Sequence, residues 1–246
     1  MTASAPPPST TAPSVTRRLW DLSAPIIGLN VLNVLSLAVD TAMCGRLPNQ
    51  DVVLAALGYS VQILFLLQVA MFGLSIGAVA TVARAFGAKD RARVDHVLAQ
   101  AVTLTIGVSL AMAVLGNLFA PELIAALGGD DKVAAEALLF LRPLLSCTVF
   151  TYLILLLAAI LRGVGNSQLA FRVALLQNGL NILFNLVLIT GRFGVPALGV
   201  QGAAYGTAAS QAIAVAVFLG VLTRGAVPGV HFRPRLVRID LELARH

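Results

Sequence analysis

Charged residues are scarce in this chain. Asp, Glu, Lys and Arg make up 11% of its 246 residues, against about 25% in an ordinary soluble domain. That deficit, beside a hydrophobic content of 58%, excludes a soluble globular protein and points to a membrane. Cysteine occurs twice, as Cys44 and Cys147, both within apolar stretches. There they read as small buried apolar side chains rather than as a disulfide or a metal pair. Of the three histidines, His96 ends the GAKDRARVDH connection at the edge of the third span and His231 and His246 lie in the tail, and no pair has metal-ligand spacing, so no metal site is expected. There is no Walker loop and no GxGxxG opening a helix after a strand. Ser and Cys occur within apolar segments, but no His or Lys accompanies them there as a base. A membrane enzyme and a chain that itself burns ATP are both disfavoured, and no cofactor is expected. The first 16 residues, MTASAPPPSTTAPSVT, lack the basic start and the short apolar core with cleavage site of a secretory signal. Rich in Pro, Ser, Thr and Ala, residues 1–16 read as a disordered tail, leaving the first helix as an uncleaved insertion signal.

What is present is a series of long apolar stretches. Six spans are predicted: 22–45, 54–83, 94–119, 137–161, 169–190 and 199–222. Each is long enough for a tilted crossing. The breaks between them carry punctuation: Pro48, GAKDRARVDH, GGDDK, GVGN and RFGVPALG. The expected fold class is therefore all-α: a polytopic membrane protein whose six helices form one lobe over residues 17–224. The segment 225–246 forms a basic tail. The net charge of +6 does not point to nucleic acid, because the basic residues are distributed between apolar stretches. Thirteen of the 17 fall on one side: Arg17, Arg18, Arg84, Lys89, Arg91, Arg93, Arg162, Arg172 and the five arginines after the sixth span. Lys and Arg accumulate in cytoplasmic loops, so both termini are predicted to be cytoplasmic, in a multi-pass protein of the cell membrane. Pro25 and Pro143 fall near the starts of spans one and four, where a missing amide is best tolerated. Two small-xxx-small patterns, Gly73 with Gly77 and Gly202 with Gly206, read as helix-packing seams.

One carboxylate stands alone in this apolar background. Asp40 lies late in the first span, LSAPIIGLNVLNVLSLAVDTAMCG, towards the outer side. An ionisable group inside a membrane helix costs a few kcal/mol and marks a functional site by default. Polar companions accompany it. Span one carries Asn30 and Asn33, span two Gln62 and Gln68, span five Gln177, Asn178, Asn181 and Asn185, and span six Thr207, Ser210 and Gln211. Asn178, Asn181 and Asn185 share one helix face, and Asn33 lies two turns before Asp40 on the same stripe. The amides also fit plain interhelical hydrogen bonding. The carboxylate is less easily explained that way, and its predicted role is to take up H⁺ or Na⁺ and release it on a conformational change.

Several motifs, in order, resemble the N-terminal half of a multidrug and toxic compound extrusion (MATE) transporter. They are Ala24–Pro25, VDTAMCGRL (39–47), LAALG (54–58), GLSIGAVATVARAFGAKD (73–90), LRGVGNS (161–167), NILFNLVLITG (181–191) and LGVQGAAYGTAAS (198–210). The resemblance implies an antiporter exporting cationic or amphipathic compounds in exchange for H⁺ or Na⁺. It also implies a fold of twelve helices in two six-helix lobes around a central cavity. It places the acid of the VD motif on Asp40 and the asparagine of an N-x-x-x-D pattern on Asn181. The acidic position of that pattern is Asn185 here, so the second carboxylate is absent. The expected cavity set is Asp40, Asn181, Asn185, Asn178, Asn33, Thr207 and Gln62. The tail HFRPRLVRIDLELARH resembles the linker into a second lobe, so the implied partner is that missing lobe or a second copy in a homodimer. Two competing readings are a lipid-linked oligosaccharide flippase and a non-transporting fragment that needs a partner. The scarcity of charge in spans one, two and five other than Asp40 favours cations over phosphates.

Overall fold

A computed structural model describes residues 15–232. The 1–16 tail, apart from its last two residues, and the part of the basic tail beyond Phe232 lie outside the described residues. Seven helices follow in order: α1 (Val15–Cys44), α2 (Gln50–Gly87), α3 (Arg91–Ala126), α4 (Asp131–Ser146), α5 (Thr148–Gly163), α6 (Ser167–Thr190) and α7 (Gly199–Thr223). Among the described residues no strand forms, and the only bridge, Val227 to Val230, is isolated. Five of the described helices are long and apolar enough to cross a membrane, and the bent pair α4–α5, counted as one, has the length and composition of a sixth span.

The connections form where the sequence supplies both a helix stop and a helix start. Gly128 and Gly165 adopt φ of 85° and 84° just past α3 and α5, the left-handed conformation that ends a helix with little strain in glycine. Asp130 and Asn166 then cap the next helices, accepting from Val133 N at 2.8 Å and Leu169 N at 3.2 Å. Asp90 does the same for α3, accepting from Arg93 N at 3.0 Å. The left-handed position before it is Lys89.

Two sequence expectations need correction. The fourth span is not one helix over 137–161: it starts at Asp131 and breaks at Cys147, where its halves bend by 56°. Pro143 sits near the end of α4 rather than at the start of the span, one turn before the break. Its missing N–H and its ring disrupt the turn behind it. Thr148 Oγ1, bonded back to Leu144 O at 3.3 Å, reinforces the bend. Pro25 likewise lies inside α1, which begins before the predicted span.

A central core is built where α2, α3, α5 and α7 meet, with Val82, Leu98, Leu156, Leu161 and Phe218 all buried. Tyr152 is buried there too, and its hydroxyl donates to Leu67 O at 2.8 Å, tying α5 to α2. Large apolar side chains such as Phe65, Ile76, Leu110 and Leu118 point outward, as expected where the solvent is hydrocarbon rather than water. Against α6, α1 lays the stripe Gly28, Leu32, Ser36, Asp40 and Met43, while its opposite face is exposed.

The two small-residue seams behave differently. Gly202 and Gly206 pack α7 directly onto α6: a Cβ on Gly202 would lie 2.6 Å from Leu188 O. Gly73 and Gly77 face open space, with nothing within 4 Å of a built Cβ. They are not a packing seam within this chain. Gly73→Ala and Gly77→Ala are therefore expected to cost nothing and to raise stability by up to about 1 kcal/mol each, which thermal unfolding of the purified protein in detergent measures.

Candidate functional site

The site forms where α1 crosses α6 and α6 meets α7. Asp40 and Ser36 are one turn apart on the face of α1 that α6 covers. Opposite them stand Asn181 and Asn185, themselves one turn apart and both buried. Close approach of the helices is possible because α7 presents Gly206 here, and a Cβ there would come within 2.0 Å of Asn185 Oδ1.

These residues form a continuous hydrogen-bonded chain across three helices. Asn185 Nδ2 donates to Asp40 Oδ1 at 2.7 Å and, more weakly, to Asn181 Oδ1 at 3.4 Å. Ser36 Oγ donates to the same Asn181 oxygen at 3.2 Å. Asn181 Nδ2 donates to Thr207 Oγ1 at 3.0 Å, and Thr207 donates on to Ala203 O at 2.9 Å. The carboxylate is half-buried and served by an amide donor. No basic side chain bonds it among the described residues. The Asn185 oxygen is buried and has no partner among them.

That arrangement has a definite chemical capacity. An amide carries both a donor and an acceptor. Asn185 can donate N–H to an ionised carboxylate, as seen here. With its amide turned over, it can accept an O–H from a neutral one or offer oxygen to a cation. Beyond Thr207 lies a cavity of about 130 Å³ whose polar wall includes Gln68, Thr148, Thr151, Tyr152 and Gln211. In it, Thr151 Oγ1 donates to Gln211 Oε1 at 2.7 Å.

Of the residues expected from sequence, Asp40, Asn181, Asn185 and Thr207 come together. Asn178 does not join them: it is buried, but its side chain turns back on its own helix and donates to Ala174 O at 2.8 Å. Asn33 shares Asp40's stripe but sits seven residues, about 10 Å, along the axis. It lines a separate cavity with Asn30, Gln68, Gln177 and Arg162. Gln62 is exposed on α2. The inward phase of that helix runs through Ala56, Ser60 and Ile63, which turns Gln62 away. The residue that sequence reasoning missed is Ser36. Its signal was its position four residues before Asp40.

Comparison with known proteins bears on this arrangement. The family profile described as MatE matches residues 25–187. The "Probable multidrug resistance protein YoeA" of Bacillus subtilis is 30% identical over 94% of this chain and 50% of its own length. The "Probable multidrug resistance protein NorM" of Thermotoga maritima is 31% identical over 87% of this chain and 46% of its own length. Among solved structures, one described as "MATE in the bent conformation" superposes with a TM-score of 0.81 at 23% identity. It covers 94% of this chain and 50% of that one. The chain thus spans about half the length of the curated relatives it matches.

Proposed function

Because this chain belongs to the MatE family, we propose that it is one lobe of an ion-coupled exporter of cationic or amphipathic compounds, with Asp40 as the coupling acid. The observation that carries this reading is the Asp40–Asn185–Asn181–Thr207 chain of hydrogen bonds, built around a lone carboxylate within a membrane span. A carboxylate placed there is expensive, and packing alone does not call for it.

In this reading Asp40 takes H⁺ or Na⁺ from the outer side and releases it as the lobe rearranges. Loading neutralises the carboxylate and weakens the bond from Asn185 Nδ2 from a charge-assisted one to a neutral one. The polar ties of α1 to α6 near this point are that bond and the one from Ser36 to Asn181. Ion loading thereby changes how firmly α1 is held against α6. A helix that shifts with ion occupancy couples the ion to the state of the cavity beside it, provided the ion binds the two states unequally.

The substrate cavity in this reading lies between this lobe and a second one, supplied by further sequence or by another copy. Support comes from the half-length match to the relatives and from the largely exposed faces of α1 and α2. The test is ethidium efflux in a transporter-deficient strain. Cells express the chain alone, or together with the second half of a full-length relative, at matched membrane abundance. Efflux is expected once a second lobe is present. A lack of efflux from a pair shown to assemble in the membrane overturns the exporter reading.

A further inference from the structure

The cavity that takes Asn33 away from Asp40 has a chemistry of its own. It measures about 400 Å³ and lies among α1, α2, α5, α6 and α7. Its polar groups are the guanidinium of Arg162 and the amides of Asn30, Asn33, Gln68 and Gln177, set against an apolar wall that includes Phe72 and Phe218. None of the described residues that line it is acidic. Arg162 is half-buried, and no hydrogen bond to its guanidinium forms among the described residues. The cavity runs from the middle of the lobe, at Asn33 and Gln68, to Arg162 and Ala170 on the side where the basic residues Arg84, Lys89, Arg91 and Arg93 gather, the side that the distribution of Lys and Arg assigns to the cytoplasm.

We propose that this cavity binds a phosphate-type oxyanion, with Arg162 as its anchor. A guanidinium presents a planar fork of N–H donors that matches two oxygens of a phosphate. The four amides that also line the cavity carry further N–H donors that an oxyanion can accept from. The apolar wall suits a molecule with a hydrocarbon part. Basic pockets between membrane helices on the cytoplasmic side take anionic headgroups, so an anionic phospholipid supplies the chemistry most directly, and free phosphate is the other source. The inference is independent of the role proposed for Asp40, since no residue of the Asp40–Asn185–Asn181–Thr207 chain lines this cavity, although Gln68 lines both it and the cavity beyond Thr207.

The test uses the purified full chain and native mass spectrometry, with phosphatidylglycerol and phosphatidylcholine titrated separately. The wild type is expected to retain one phosphatidylglycerol in preference to phosphatidylcholine. Arg162→Gln is expected to weaken retention about tenfold, the scale of one charge-assisted pair. Arg162→Lys, which keeps the charge but loses the fork, falls between. Arg91→Gln, a basic residue at the same end but outside the cavity, is expected to behave as wild type. A parallel arm adds inorganic phosphate and follows thermal unfolding. An Arg162-dependent rise in unfolding temperature there names free phosphate as a source, and its absence names the lipid alone. Should Arg162→Gln fail to fold, Arg162→Lys and Gln177→Leu carry the comparison. Equal retention of the two lipids overturns the proposal. So does a wild-type response in the Arg162 variants, or an equal loss in Arg91→Gln, which would indicate a diffuse basic surface.

Discussion

Asp40→Asn is expected to reduce dye efflux by the assembled transporter to the level of cells without it, at unchanged membrane abundance. The substitution is nearly isosteric, and the new amide oxygen can still accept from Asn185 Nδ2, which now stands 2.7 Å from Asp40 Oδ1. The link between α1 and α6 survives. What disappears is the charge that a coupling ion must neutralise. Stability is expected to stay level or to rise by up to about 1 kcal/mol, because an uncompensated carboxylate in a membrane helix is costly and its neutral replacement is not. Loss of efflux together with an undiminished unfolding temperature separates a functional role from a structural one. A fall in both would mean that Asp40 holds the lobe together.

The second large effect is at the α6–α7 seam. Gly202→Ala is expected to destabilise the lobe by about 2–3 kcal/mol, the upper part of the range for overpacking. Its new Cβ would sit 2.6 Å from the Leu188 carbonyl oxygen and 2.7 Å from its carbon. These are backbone atoms of a helix, so relief requires moving α7 away from α6. Gly206→Ala meets a side chain instead, Asn185 Oδ1 at 2.0 Å. That amide can swing aside, but in doing so it leaves Asp40. Gly206→Ala is thus expected to cost less stability than Gly202→Ala and more activity. Thermal unfolding and efflux measured on both variants give the two rankings, which should be opposite.

Much of this architecture was legible in the sequence because a bilayer imposes coarse rules. Long apolar stretches become helices, since no other local structure satisfies the backbone there. The breaks declared themselves through Gly128, Asp130, Gly165 and Asn166, whose conformational and capping preferences are local. The lone charge at Asp40 and the spacing of Asn181 and Asn185 were equally visible, because four residues on a helix is a fixed geometry. The misses arose where a second helix decides. Gln62 is polar and lies in a span, but only the packing of α2 fixes which way its phase faces. Asn33 and Asp40 share a stripe, and only the crossing of α1 over α6 determines that Asp40 meets the asparagines while Asn33 faces another cavity. The break at Cys147 falls inside an apolar run with no Gly at that point, so the sequence reads across it as one span. The seams at Gly73 and Gly202 have the same pattern, and only the neighbouring helix distinguishes them.

Ion flux itself reports whether Asp40 is the coupling acid. Proteoliposomes holding the assembled transporter would be given a substrate gradient, with a pH-sensitive dye inside and Na⁺ either present or absent, while counter-movement of H⁺ or Na⁺ is recorded. A substrate-driven flux of one of these ions is expected in the wild type and none in Asp40→Asn. Substrate-driven ion flux of undiminished size in Asp40→Asn would contradict that role.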